Sequence, residues 1–527
     1  MSKLFVTVLG TGNYFDCHYY KDGDSFRTPF IQEALMNFLY KNENEDKLED
    51  FEMKILLTEK ARDKNYYGEN KLESILKKYD ITPELVIIPE GKTSDELWDI
   101  FDKVSETIDE SASKLNSTHE SLDVNIDITH SLRNIPMQIV VAMNYLTLFN
   151  NVNLEGIYYG AFELGETKID DKFFENKSIL DKLYNTENID TTVLDKLKYA
   201  NCCDDLDDDT KEIIFKNSRN YKGVTISHAP ICNLDTYYDL LKWTNAINSF
   251  IKCGNTLEIK ELSRKERSLA FQSKRKNTSN IKLLDNVSQR LDHFTNCINT
   301  CRGMNGKKAK DELNSIKVAA ENLYESLQKL DENISIKPLK KLFNLVSKKI
   351  EPFVGKNNLE IGLATVNWCI EYNLFQQGYT ALEETIKTLL CIKLNLPDDP
   401  NSKDSSVNLY ENREDIVNKI LTEAAIKLQN KDNKSDVQKL IDDCSNKLAS
   451  TKDFCKLSQT VKSFRNDINH FGFNRDGAKN YKTISDNLKL HYSELLKFID
   501  GDFPWYPVED TSKENPQSEV AADSSQI

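Results

Sequence analysis

Along residues 1–165 the apolar positions switch repeatedly between two rhythms. Leu4–Leu9, Met53–Leu57, Leu85–Ile88, Val124–Ile128 and Glu155–Gly160 are short segments that read as strands. Between them the apolar residues recur every three or four positions. Phe30, Ala34, Leu35 and Phe38 do so in Phe30–Tyr40, and Leu97, Ile100, Phe101, Val104 and Ile108 in Asp95–Ile108. Leu72–Tyr79 and Ile135–Leu148 read as helices in the same way. Strand and helix in alternation imply a mainly parallel sheet covered by helices.

Residues 166–235 break that rhythm. They hold the acidic run Asp204–Asp209 and read as a connector with short elements of its own. From residue 236 the pattern turns almost wholly helical. Leu240, Leu241, Trp243, Ala246, Ile247 and Phe250 open it, and Gly254 is placed to end that first helix. Amphipathic stretches follow at Ser279–Thr300, Lys310–Leu330, Leu359–Leu394, Asp415–Gln429, Val437–Ala449, Phe454–Phe471 and Asn480–Phe498. The expected plan is therefore an α/β domain at 1–165, a connector at 166–235 and a helical region at 236–505. The polar residues 506–527 are expected to be disordered.

Composition narrows the choice of partner. The formal net charge is -15, which argues against coating nucleic acid through the whole surface, so any such chemistry needs a local pocket. No apolar stretch approaches the roughly 20 residues of a membrane helix, so no membrane partner is expected. The eleven cysteines are irregularly spaced, which suggests free thiols in a reducing cytoplasm. His293, Cys297 and Cys301 fall at i, i+4 and i+8; the outer two stand about 12 Å apart along a helix. Zinc needs its ligands within about 2.3 Å of one point, so no metal site is expected.

In a parallel α/β sheet, ligands bind outside the carboxyl ends of the strands. Three polar loops follow strands here. Gly10-Thr11-Gly12-Asn13-Tyr14 has glycines that let backbone N–H groups approach an anion. Thr58-Glu59-Lys60 is the second. Asp127-Ile128-Thr129-His130-Ser131-Leu132-Arg133 is the third, running into a helix N-terminus. Hydroxyls, a histidine and an arginine on one crevice suit phosphates and sugar hydroxyls. A dinucleotide fingerprint does not fit, since position 15 is Phe where its third glycine belongs.

A second cluster lies in Ser463–Phe473. Leu457, Val461, Phe464, Ile468 and Phe471 step by four and three, an apolar seam. At about 100° per residue, His470 lies roughly 140° from the centre of that seam and Arg465 about 80° away on the other side. Both therefore point off the core.

Together these loops and this helix resemble the CARF–HEPN ribonucleases of type III CRISPR systems. The likeness rests on the Leu9–Tyr14 loop, Thr28-Pro29-Phe30, Leu57-Thr58-Glu59-Lys60-Ala61 and the Asp127–Arg133 loop at one end of the chain. At the other end it rests on Arg465-Asn466-Asp467-Ile468-Asn469-His470, an R-x4-H motif, and on Gly378–Glu384. The Leu241-Lys242-Trp243 segment, with Ala246 and Phe250, also looks like the start of that family's effector half. The resemblance implies a Rossmann-like CARF sensor followed by an all-α HEPN domain with its core at about 356–505. It implies cyclic oligoadenylate binding through Gly10, Thr11, Gly12, Asn13, Tyr14, Thr58, Glu59, Thr129, His130, Ser131 and Arg133. Cyclic tetra-adenylate is the first choice of activator and hexa-adenylate the second.

The resemblance further implies metal-independent cleavage of single-stranded RNA. The substrate's own 2′-OH attacks the adjacent phosphate, His470 handles protons, Arg465 holds the phosphorane charge and Asn466 orients. No cofactor is implied. Arg465 and His470 diverge by about 140° on one helix, so a homodimer or higher assembly is expected to build a composite cleft. Arg264–Arg267 and Lys274–Lys276 form a basic stretch, either a guide for RNA or a solvated helix face. Two other readings remain open: a ligand sensor without nuclease activity, and a ring nuclease that degrades its own activator.

Overall fold

The computed structural model describes residues 2–42, 47–115, 121–130, 134–146, 152–185, 189–272, 279–303, 315–333, 337–393, 417, 452–473 and 477–500. The chain divides into two compact units, Met1–Asp239 and Leu240–Ile527.

The first unit is built on nine strands: β1 (Ser2–Leu9), β2 (Cys17–Lys21), β3 (Asp24–Thr28), β4 (Glu52–Leu57), β5 (Glu84–Ile87), β6 (Leu122–Asp127), β7 (Val152–Gly160), β8 (Glu166–Ile169) and β9 (Thr225–Asn233). They form one sheet in the order β3-β2-β9-β7-β6-β1-β4-β5, with β8 paired to β9. The five expected strands make its parallel half: β4 and β6 flank β1, with β5 and β7 beyond them. β1 is buried along most of its length, as expected of a parallel strand covered on both faces. Phe5, Leu9, Ile55 and Leu57 face a core that includes Ile31, Ala34 and Leu35 of helix α1 (Ile31–Tyr40). Alternation sends Val6 and Lys54 to the opposite face. There the buried Lys54 ammonium meets Glu110 of α4 (Ser94–Ser113) at 3.3 Å and Glu84 at 3.1 Å.

Between these elements lie α2 (Glu59–Ala61), which runs on as a π-turn at Arg62–Tyr66, and α3 (Leu72–Leu76). After β6 comes α5 (Ile135–Leu146). The segment expected as a connector is instead part of this unit. It carries α6 (Asp171–Glu175), α7 (Ser178–Tyr184), α8 (Thr191–Tyr199) and α9 (Asp208–Lys216). Phe173, Leu180, Leu194, Leu197, Ile214 and Val224 give it a core of its own. Its last strand, β9, lies inside the sheet: it pairs with β2 on one edge and with β8 and then β7 on the other. The boundary falls at Asp239, because β9 belongs to the sheet.

The second unit is helical, as expected. It takes in most of α10 (Asp235–Cys253), then α11 (Leu257–Gln272), α12 (Ser279–Asn299), α13 (Ile316–Asn333), α14 (Lys337–Ile350), α15 (Asn358–Glu371), α16 (Phe375–Lys393), α17 (Lys452–Asn469) and α18 (Tyr481–Asp500). Gly254 ends α10 at φ +67°, its N–H bonded to the Phe250 carbonyl. The stretch Leu359–Leu394 is two helices rather than one. Asn373 takes a left-handed φ of 57°, and Leu374 N–H returns to the Cys369 carbonyl at 2.8 Å. One core collects Trp243, Phe250, Phe294, Leu323, Phe353 and Trp368. A second collects Tyr379, Leu382, Ile386, Val461, Phe464 and Leu488, from α16, α17 and α18. The stretches Asp415–Gln429 and Val437–Ala449, the basic Lys274–Lys276 and the tail at 506–527 lie outside the described residues. No described helix is long and apolar enough to cross a membrane.

Candidate functional site

In the first unit the chain runs from β1 outward to β4 and β5, then crosses back to β6 on the other side of β1. The order reverses there, and such a switch point opens a crevice at the strand ends. The loops after β1 and β6 meet in it. A Cβ on Gly10 would stand 2.8 Å from the His130 carbonyl oxygen, so only glycine lets the two backbones approach. Tyr14 stacks on Phe30 with ring centroids 4.7 Å apart and meets the His130 ring edge-on at 4.4 Å. Its hydroxyl accepts from Gly10 N–H at 3.0 Å. Burial raises the Tyr14 pKa well above its ordinary value, so the group stays a neutral phenol.

The Gly10–Gly12 turn is held through its carbonyls. Asn65 Nδ2 donates to those of Gly10 and Gly12 at 2.7 and 2.9 Å, and Lys64 Nζ to that of Thr11 at 2.7 Å. A Cβ on Gly12 would touch nothing within 4 Å, so that position borders open space. Asn13 is exposed beside it.

Thr129 proves to be a structural residue. Its hydroxyl donates to Asp127 Oδ1 at 2.5 Å and accepts from Gly160 N–H at 2.8 Å, tying the ends of β6 and β7. Thr7 donates to the other oxygen of the fully buried Asp127 at 2.6 Å. Thr58 caps α2, accepting from Ala61 N–H at 3.2 Å, while Glu59 is exposed. His130 packs edge-on against Tyr14 where the two loops meet. Its Nε2 is buried, with no hydrogen-bond partner among the described residues. Burial pushes its pKa down to about 4, so the ring is neutral near pH 7 and serves as a hydrogen-bonding group rather than a cation. Ser131 and Arg133 lie outside the described residues.

In the second unit α17 carries the other candidates. Leu457, Val461 and Phe464 are buried, and Ile468 packs against the same core. Phe464 stacks on Tyr379 of α16 at 5.2 Å. This seam places Arg465 beside α16, where its Nε and Nη2 donate to Glu383 at 2.7 and 3.1 Å. Glu383 is 6% exposed and Arg465 30%. The buried Lys387 ammonium, 3.4 Å from Glu383 and 2.8 Å from Glu384, completes the network. Glu383 stood within Gly378–Glu384 in the sequence, but no spacing marked it as the partner of a residue 82 positions away. Asn466 is half-buried and its carbonyl takes His470 N–H at 2.9 Å. Asp467 is buried and accepts from Lys479 N–H at 3.1 Å.

His470 is exposed at the end of α17. Phe471 departs from the expected seam. The helix stops at Asn469, and Phe471 takes a left-handed φ of 56°. Its N–H goes to the Ile468 carbonyl, and Gly472 N–H to that of Asp467. This is the helix-ending loop in which glycine usually takes the left-handed place, at a steric cost to a side chain of about 1–2 kcal/mol. Phe471 is 90% exposed and Phe473 85%. In the basic stretch, Arg267 is paired to Asp285 at 2.6 Å, while Arg264 and Lys265 are exposed.

No protein-family model matches this chain. Csm6 of Enterococcus italicus, bound to cyclic hexa-2′-fluoro-hexa-dAMP, aligns in structure over 95% of both chains, at a TM-score of 0.35 and 9% identity; so low a score carries no argument about the fold. Over 357 residues the chain is 21% identical to the CRISPR-associated protein MJ1674 of Methanocaldococcus jannaschii. That match takes in 65% of this chain and 39% of the length of that protein. The sequence likeness thus falls on a CRISPR-associated protein, the group to which the loops after β1 and β6 and the motif on α17 pointed.

Proposed function

We propose that the protein is a metal-independent endoribonuclease of type III CRISPR defence, switched on by a cyclic oligoadenylate bound at the crevice of its first unit. The observation that carries this reading is the setting of α17: Arg465 and His470 both stand off the core, one braced by Glu383 and the other exposed. A guanidinium held along one edge keeps a fixed direction for a phosphate. His470 exchanges protons with the attacking 2′-OH and the leaving oxygen, and Asn466 orients. Single-stranded RNA is the substrate, since its flexible backbone can bring the 2′-OH in line with the scissile bond.

The crevice suits a hydroxyl-rich and base-rich ligand. The Tyr14 and His130 rings pack where its two loops meet, and Gly12 leaves room for a backbone contact. Cyclic tetra-adenylate is the first candidate. A homodimer fits the apolar stripe on α5, where Met137, Val141 and Tyr145 recur at i, i+4 and i+8 and are all exposed. Trp98 of α4 is exposed too, and Phe101 joins α4 to Tyr145 at 5.9 Å. A helix apolar on both faces is one that is normally covered.

A quenched-fluorophore RNA reporter, incubated with cyclic tri-, tetra- and hexa-adenylate, tests the proposal. Cleavage should rise with one ring size, persist in chelator and vanish in His470→Ala. Cleavage with no response to any ring, or loss of activity in chelator, would sink it.

A further inference from the structure

The rings of Phe471 and Phe473 are exposed at the end of α17, on either side of Gly472 and directly after His470. Continuing the helix would have carried Phe471 round to the apolar seam. The chain instead stops the helix and places a phenylalanine where glycine is the usual choice, although Gly472 follows at φ +74°. The strained turn holds a large ring in water next to the histidine, with no burial to offset it. Lys479 places its ammonium 5.0 Å over the ring of Phe464, on the same helix. The whole chain is acidic, at -15, so long-range attraction does not hold a polyanion here. Stacking on aromatic faces works without net charge and without regard to base identity.

We infer that Phe471 and Phe473 form a stacking clamp for the RNA bases that flank the phosphate at His470. The inference rests on the nuclease reading and adds how the substrate is gripped. Base planes lying on the two rings fix the nucleotides on either side of the scissile bond, so the 2′-OH meets His470 in line. Any base is accepted, and duplex RNA, whose bases are already stacked, is refused.

The test uses a single-stranded RNA with 2-aminopurine at the scissile step and a 2′-deoxy sugar that blocks cleavage. The wild-type protein should quench the 2-aminopurine on binding. Phe471→Ala and Phe473→Ala should each weaken binding by at least about tenfold and lose the quench, while Phe471→Trp restores both. Phe471→Gly, which suits the left-handed turn, should fold at least as stably as wild type yet bind as weakly as the alanine variant. Unchanged affinity and emission in both alanine variants would overturn the clamp. So would an effect confined to the monomer–dimer equilibrium in sedimentation, which would make the rings a contact between copies. Quenching without cleavage of the all-ribose RNA would refute the nuclease reading alone. Cleavage by both alanine variants at wild-type KM would refute the clamp alone.

Discussion

Glu383, itself buried, offers one carboxylate to two cations, the partly exposed Arg465 and the buried Lys387. Removing its charge leaves both cations short of a partner, and an uncompensated buried charge is costly. Lys387 keeps Glu384 and Arg465 is partly solvated, so Glu383→Gln should cost only about 2 kcal/mol of stability. With Arg465 no longer aimed, kcat should fall about tenfold or more, with KM less affected; Glu383→Asp should recover part of it. Equal losses in kcat and folded fraction would mark Glu383 as structural only. His130 gives a pH prediction. Its folded pKa, about 4, lies below its unfolded value near 6.5. The unfolded chain therefore takes up the proton first as pH falls. Stability is intact above about 6.5 and is lost down to about 4, by about 3 kcal/mol in all. Burial lowers His18, His228 and His491 too, and they add in the same sense. Urea titrations of wild type and His130→Gln between pH 7 and 4 should show a shallower fall in the variant; parallel curves would contradict this. At this scale the sequence told by helical phase that Arg465 lies beside the apolar seam rather than in it, but not that the helix would stop at Asn469, before His470. It did not tell that Thr129 and Thr58 spend their hydroxyls on the fold, because both bonds depend on where the chain returns.

Strands of the parallel half were readable because their short segments, rich in Val, Ile and Leu, alternate with helical spacing, even though β6 buries Asp123, Asn125 and Asp127 among them. β2 and β3 left a signal that went unused: Asp22-Gly23 between two five-residue strands, both at positive φ, is a hairpin turn. β9 left a misleading one. It holds Pro230, which ordinarily argues against a central strand. Pro230 sits where the neighbour on that edge changes from β8, paired as far as His228, to β7, paired from Ile231. No local pattern reports such a gap. α15 and α16 merged in the sequence because their apolar residues serve adjoining cores, so the seam runs on through the turn at Asn373. The link between β6 and β7 is testable at this level. Thr129→Val removes the hydroxyl joining Asp127 to Gly160: the Gly160 N–H loses its acceptor, and the buried Asp127 carboxylate keeps only the Thr129 N–H and the Thr7 hydroxyl. The expected cost is about 2 kcal/mol in urea unfolding; a change under a few tenths would show the link to be dispensable.

On the scale of the molecule, Val141→Glu places a charge in the α5 stripe. If that stripe joins two copies, light scattering should show the variant as a monomer, with ligand-stimulated cleavage lost and its secondary structure intact. A dimer of unchanged mass would move the interface elsewhere. The position of β9 bears on how the chain is made. The β2–β3 hairpin leaves the ribosome early, yet the strand that connects it to β7 is synthesised some two hundred residues later. Until then the hairpin has no place in the sheet, and β7 shows a bare edge to any passing strand. A fragment cut after residue 165 would be fixed in that half-made condition and should aggregate, while one ending at Asp239 should stay dispersed. Translation thus leaves this unit open to mispairing for most of its synthesis, and one late strand closes that interval.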